Sequence, residues 1–295
     1  MIPTGKGTYL WIVDRCDPSA DKAKLVNDFL TAGIQRVDIK IVDGARRFGI
    51  DEKTGFNHVK AAIDALQDAG ITVVPWAYTY GYSRDWVTKE ANAVVEAMQE
   101  YGLTDAFIVN AEHEYKREEH DKFADIYCRT IKNATGCTLG LSSYRWPSYH
   151  MDFHWSAFWP YVDFHAPQVY WLGAHNPAEQ LNKSVNELRA MLDVPIVPTG
   201  LASYDALADD MNEFDAEAQR LGLPGVSWWE WYYILENASW YGAIASHDWG
   251  AVIPDPPPEP QPIPQPTPEP QPDTDAQKQM DGLAADIQTI RKGIH

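Results

Sequence analysis

The sequence predicts an α/β fold, a (β/α)8 TIM barrel over residues 1–253, and three observations carry that expectation. Between residues 8 and 250, eight strand-like segments alternate with eight helical patterns, repeating at intervals of about 30 residues. Glycines punctuate the junctions: Ala-Gly-Ile at 32–34 and 69–71, Tyr-Gly-Leu at 101–103 and Leu-Gly-Leu at 221–223. Each sets a glycine where a helix ends and the next strand begins, the position that favours left-handed backbone. A doubly wound open sheet is the alternative, but the glycine-rich phosphate loop it carries after its first strand is missing.

The elements follow in order. Strand candidates are Tyr9–Val13, Ile34–Ile41, Ile71–Tyr78, Ala106–Glu112, Thr138–Ser143, Asp163–Trp171, Pro195–Leu201 and Gly225–Trp231. The helical patterns between and after them are Asp21–Ala32, Asn57–Ala69, Asp85–Tyr101, Glu118–Ala134, a short Tyr149–Trp159, Pro177–Leu192, Ala206–Leu221 and Ile234–Ser246. Beyond the barrel the composition changes sharply. From Pro254 to Pro272 proline fills 11 of 19 positions, so 254–272 is expected to be an extended polyproline spacer of roughly 60 Å. In 273–295, Ala276, Met280, Leu283, Ile287, Ile290 and Ile294 are spaced 4, 3, 4, 3, 4. That a/d seam predicts a coiled-coil-like helix over Ala276–Ile294, serving homo-oligomerisation or the start of a stalk.

Composition narrows the function. The chain has 295 residues, with Lys+Arg 24 against Asp+Glu 42 and a formal charge of −18. Nucleic acid is an unsuitable partner, because phosphate affinity comes mainly from Lys and Arg. Anionic membrane surfaces are excluded on the same ground, and no stretch reaches the roughly 20 apolar residues of a membrane span. The N-terminus shows no signal peptide, so synthesis in the cytoplasm is expected, with virion association or release by lysis open. Twelve tryptophans, 15 tyrosines and nine phenylalanines make 12% of the chain aromatic. Two readings share that signal evenly: a large aromatic core, and a cleft whose flat rings cover the apolar faces of sugars.

In a barrel the chemistry gathers at the C-terminal strand ends. Alternation puts Ile108, Asn110 and Glu112 on one face of the fourth strand, and Leu10, Ile12 and Asp14 on one face of the first. Trp228 and Glu230 repeat the arrangement on the eighth. Asp14, Glu112 and Glu230 are therefore expected at a common mouth, among Trp76, Tyr78, Tyr144, Gln168, Tyr170, Trp171 and Trp228. Solvated loop carboxylates are the plainer alternative. Clustered carboxylates walled by aromatic rings suit glycoside hydrolysis: one acid keeps a proton for the leaving oxygen, and a second stabilises the oxocarbenium-like charge, attacks it or activates water.

The strand Phe107-Ile108-Val109-Asn110-Ala111-Glu112 resembles the Asp-x-Glu strand end of barrel glycosidases in families 18 and 25, the chitinases and lysozyme-type muramidases. Gln168-Val169-Tyr170-Trp171 and Ser227-Trp228-Trp229-Glu230-Trp231 resemble strands six and eight of family 18, and Asp14 is similar to a first-strand carboxylate of family 25. The resemblance implies Glu112 as general acid, Asp14 and Glu230 as its partner carboxylates, and an amino-sugar polymer such as peptidoglycan or chitin as substrate. Asn110 stands where those families carry aspartate and cannot supply its charge. A carbohydrate-binding or structural barrel displayed on a stalk, in a phage tail or cell-surface assembly, is thus the alternative. Glu114 is the alternative acid if the strand ends later.

Other residues carry weaker signals. Asp38 and Lys40 either point into the barrel or pair with each other. His150 and His154 have helical ligand spacing but no third ligand, so no metal is expected and no cofactor is implied. Cys16, Cys128 and Cys137 read as buried thiols.

Overall fold

A computed structural model describes residues 1–249 of the chain. The spacer expected at 254–272 and the heptad helix expected at 273–295 lie outside the described residues. The strands are β1 (Gly5–Leu10), β2 (Arg36–Asp43), β3 (Arg46–Arg47), β4 (Thr72–Tyr78), β5 (Ala106–Asn110), β6 (Thr138–Ser142), β7 (Phe164–His165), β8 (Gln168–Val169), β9 (Thr199–Leu201) and β10 (Gly225–Trp229). The helices are α1 (Val13–Cys16), α2 (Ala23–Thr31), α3 (His58–Asp68), α4 (Arg84–Tyr101), α5 (His120–Thr135), α6 (Trp155–Phe158), α7 (Pro177–Met191), α8 (Ala208–Arg220), α9 (Trp231–Glu236) and α10 (Ala238–Ser246).

Nine strands run parallel in the order β7-β6-β5-β4-β2-β1-β10-β9-β8, with β3 folded back antiparallel on the end of β2. The expected sixth strand is split. Pro167, which has no N–H to give a ladder, separates β7 from β8. The two halves still close the ring. β7 pairs with β6 and bridges to Ile196, while β8 pairs with β9 and bridges to Tyr144. The closing bonds run from His165 N to Pro195 O at 2.8 Å and from Gln168 N to Ser143 O at 2.9 Å. Eight strand positions with helices between them make the (β/α)8 barrel.

Alternation on β1 differs from the expectation by one residue. Lys6 Nζ donates to the carbonyls of Ile244 and His247 at 2.6 and 2.7 Å, so Lys6, and with it Thr8 and Leu10, face the helices. Gly7, Tyr9 and Trp11 face the barrel interior. The strand ends at Leu10, and Asp14 sits exposed in the first turn of α1. Leu10 and Ile12 therefore do not fill the barrel, and Asp14 is not carried to its mouth by alternation. Both faces of a barrel strand are buried, one in the interior and one under helices, so Leu10 and Tyr9 satisfy their environments equally.

The lower interior is polar and built around a buried ion pair. Arg36, 1% exposed, donates through Nε to Asp38 Oδ1 at 2.9 Å and through Nη2 to Ser227 Oγ at 2.6 Å, and Ser227 Oγ donates to Asp38 Oδ2 at 2.6 Å. Asp38 thus points inward and pairs with Arg36. Lys40, on the same face, pairs with Asp43 at 2.7 Å. Above this network the interior turns aromatic.

Candidate active site

Trp229, at the end of β10, lies on a floor of inward rings. Its centroid is 5.5 Å from Tyr9, 6.0 Å from Trp11 and 5.9 Å from Trp76. Tyr9, Trp11 and Trp76 are buried, and Trp229 alone of the four is half-buried, so it presents ring surface at the mouth. Lys40 Nζ lies 4.5 Å from the Phe48 centroid, 5.3 Å from Trp76 and 5.6 Å from Trp11. The chain thus sets a cation, paired with Asp43, against the edge of the floor.

Glu112 follows the end of β5 and is half-buried. Gln168 Nε2 donates to Glu112 Oε1 at 3.0 Å and to Asn110 Oδ1 at 3.1 Å, so one amide ties the carboxylate to the strand it extends. Glu114 sits deeper, on a turn of 3-10 helix at 113–116, 2% exposed, where Tyr78 Oη donates to its Oε2 at 2.6 Å. Burial raises the Glu114 carboxyl above its ordinary range against the Tyr78 bond and His113, and the charge of Glu112 adds to the rise.

Glu230 caps the start of α9 without a side-chain cap bond, and the Trp229–Glu230 peptide is cis. Its carboxylate is 3% exposed and accepts from the Trp11 N–H at 3.2 Å. Burial pushes its pKa from 4.5 to about 7, against that bond and the charges of Arg15 and Lys40. Tyr170 connects the two sides of the mouth: burial raises its phenol, and the charges of Glu112 and Glu230 both add to the rise. The site therefore holds three glutamates in a graded series, one half-buried and two sealed.

The other expected site residues divide. Tyr144 is half-buried and stacks on His150 at 3.6 Å, with Lys116 Nζ 4.8 Å from its ring. Trp76 forms part of the floor, and Tyr78 holds Glu114. Trp228 and Trp171 do not reach the mouth. Trp228, fully buried, packs 5.5 Å from Phe214 of α8 and 6.4 Å from Trp171, on the helix side of the sheet. A Cβ on Gly200 would meet the same Trp228 ring at 2.6 Å, which shows how closely the strand and that ring pack. The inward tryptophan is Trp229, which counting from Ser227 in place of Trp228 would have found. Asp14, exposed in the first turn of α1, makes no hydrogen bond or ion pair among the described residues. The cysteines Cys16, Cys128 and Cys137 are free and buried, and burial raises all three thiols. Among the described residues no group of three His, Cys, Asp or Glu side chains is placed to hold a metal ion, and no helix is long and apolar enough to cross a membrane.

The fold is shared with glycoside hydrolases. The spore cortex-lytic enzyme SleL of Bacillus megaterium superposes with a TM-score of 0.57 at 8% identity, over 83% of this chain and 74% of that one. The family 18 chitinase ChiB of Flavobacterium johnsoniae gives 0.56 at 11%, over 82% and 93%. A family 39 glycoside hydrolase of Bacteroides cellulosilyticus gives 0.55 at 13%, over 78% and 56%. At such identities the likeness establishes the barrel. No family model matches the sequence, and no curated protein matches it.

Proposed function

We propose that the barrel is a glycoside hydrolase acting on an amino-sugar polysaccharide of the peptidoglycan or chitin kind, with Glu112 as its general acid. One observation carries this reading: Glu112 is the half-buried member of the three glutamates and accepts from Gln168, while Trp229 is the half-buried ring of the aromatic floor. In this reading a sugar ring rests on Trp229, and the acid is Glu112, whose Oε2 takes no hydrogen bond among the described residues. The acid delivers its proton to the leaving oxygen as the bond breaks, water then bonds to the freed sugar carbon, and the water's proton returns to the Glu112 carboxylate. Glu230, inclined to hold a proton near neutrality, must ionise before it can stabilise the developing positive charge. Asp14, exposed at the start of α1, is not needed for this step. The shared fold with a cortex-lytic enzyme and a chitinase supports the substrate class.

Asn110 favours a second reading, a carbohydrate-binding barrel without turnover, because an amide bonded to Gln168 cannot carry the charge of an aspartate. The experiment compares Glu112→Gln with Glu114→Gln on peptidoglycan and chitin oligomers. A lost general acid costs at least about a hundredfold in kcat, so Glu112→Gln should fall by that amount with sugar affinity kept. Full turnover by Glu112→Gln with none by Glu114→Gln would move the role to Glu114. Binding by the wild type without any turnover would establish the second reading.

A further inference from the structure

The loop between β4 and α4 carries rings away from the glutamates in a continuous series. Tyr78, which holds Glu114, lies 4.8 Å from Tyr80. Tyr80 stacks on Tyr82 at 5.1 Å with planes 20° apart, and Tyr82 lies 5.9 Å from Trp86. Tyr82 is 57% exposed. A large exposed ring at the end of such a series calls for an explanation, and so does the device that holds it. Glu90 of α4, fully buried, accepts three bonds from the loop, from Thr79 Oγ1 at 2.7 Å, the N–H of Tyr80 at 2.9 Å and the N–H of Gly81 at 3.1 Å, and a fourth from Trp86 Nε1 of its own helix at 2.9 Å. A carboxylate that holds three groups of one loop against its own helix fixes that loop before any ligand arrives.

Beyond Tyr82 the surface sinks into a depression of about 760 Å³, within the size of sites that take small ligands. Its lining includes Arg84, Arg117 and Lys122 against Glu118 and Glu119. Lys122 is matched to Glu119 at 3.6 Å. Neither Arg84 nor Arg117 has an ion pair or side-chain hydrogen bond among the described residues. On a chain of net charge −18, a rim with a local surplus of positive charge and two unmatched guanidinium groups is unusual. The N-termini of α4 and α5 open onto the same depression, but Asp85 and Asp121 in their first turns offset the helix dipoles, so the positive character rests on the arginines.

We propose that this surface binds a glycan strand bearing carboxylates, with a sugar face on the exposed Tyr82 and a carboxylate between Arg84 and Arg117. The inference rests on the carbohydrate reading above and narrows it from amino-sugar polymers at large to an acidic strand. Planar guanidinium groups match a carboxylate's two oxygens, whereas a neutral sugar gives them only hydroxyls. The carboxylate can come from a lactyl-peptide substituent or from a uronic acid in the chain, and the test separates the two.

Binding is measured by tryptophan fluorescence on full-length Glu112→Gln, so that turnover does not consume the probes. The probes are chitohexaose, a muramyl-peptide tetrasaccharide and an oligoglucuronate. The expected result is at least tenfold tighter binding of one acidic probe than of chitohexaose at low salt, with the margin shrinking as salt rises. Which acidic probe binds tighter identifies the source of the carboxylate. Adding Arg84→Gln and Arg117→Gln, both exposed positions, should remove the tenfold margin and leave chitohexaose affinity unchanged. Tyr82→Ala should weaken all bound probes. Equal affinity for neutral and acidic probes, or a margin that survives loss of both arginines, overturns the acidic-strand inference while glycan binding stands. Failure of every probe to bind overturns the carbohydrate reading and this inference with it.

Discussion

Replacing Glu230 by glutamine should make the barrel more stable above neutral pH and leave its stability almost unchanged in acid. The carboxyl is fully buried, and its pKa rises from 4.5 to about 7 on folding. Such a group binds its proton more tightly in the folded chain, so stability is highest when the proton is present in both states. As pH climbs from about 4.5 to about 7, the unfolded chain releases the proton first and the fold loses ground. One pKa unit is worth about 1.4 kcal/mol, so the loss reaches about 3 kcal/mol above pH 7. Glutamine keeps an oxygen to accept the Trp11 N–H and removes the titration. Urea unfolding of both proteins at pH 4.5 and pH 8.5 reads the effect: the variant's advantage should grow from near zero to about 3 kcal/mol. Asp215, which burial pushes up to about 8, weakens the fold over a similar window. It does so in both proteins and drops out of the comparison. An advantage equal at the two pH values would refute the reasoning. It would mean that Lys40, Arg15 and the Trp11 amide compensate the charge in full.

Two further outcomes test the frame around the site. In Gly7→Ala, the added methyl would stand 2.3 Å from Arg36 Nη2, and Asp38 and Ser227 hold that guanidinium. The ion pair must therefore give way, at about 3–5 kcal/mol by urea unfolding; a loss below about 1 kcal/mol would show that the interior can repack. A chain ending at Ile253 should keep the barrel's melting temperature, while only the full chain, through the Ala276–Ile294 seam, sediments as an oligomer. Equal monomeric masses at tens of micromolar would remove self-association from the reading of the C-terminal helix.

The fold was legible because its punctuation is local. Gly33 and Gly102 stand where helices end, and both adopt positive φ, +65° and +67°, which the Ala-Gly-Ile and Tyr-Gly-Leu triplets announce by residue type alone. The break between β7 and β8 was legible only in hindsight. Pro167 lies inside a run, Asp163–Trp171, that otherwise reads as one strand, and nothing in the run reveals that its two halves bond to different neighbours.

Which residues face the interior was legible on β5 and not on β1 and β10, for a reason that lies in barrel physics. On β5 the polar Asn110 breaks the apolar series, so alternation has one solution and leads to Glu112. On β1, Tyr9 and Trp11 alternate with Leu10 and Ile12; both sets are apolar and both faces are buried, so pattern alone cannot choose between them. On β10, Trp228 and Trp229 are adjacent copies of one residue type, one beneath α8 and one over the floor. The deciding residues lie lower on the strands and are polar or small. Ser227 bonds to Arg36 and Asp38 inside the barrel, which turns Trp229 inward. Gly7 leaves room for the same guanidinium, which turns Tyr9 inward. The buried polar network thus sets the register that carries the rings to the mouth. Glu114 escaped alternation for another reason: the 3-10 turn at 113–116 folds it back under Tyr78 after the strand has ended. A carboxylate placed by a turn is held by its bonds, and its partner Tyr78 begins the same series of rings that leads outward to Tyr82.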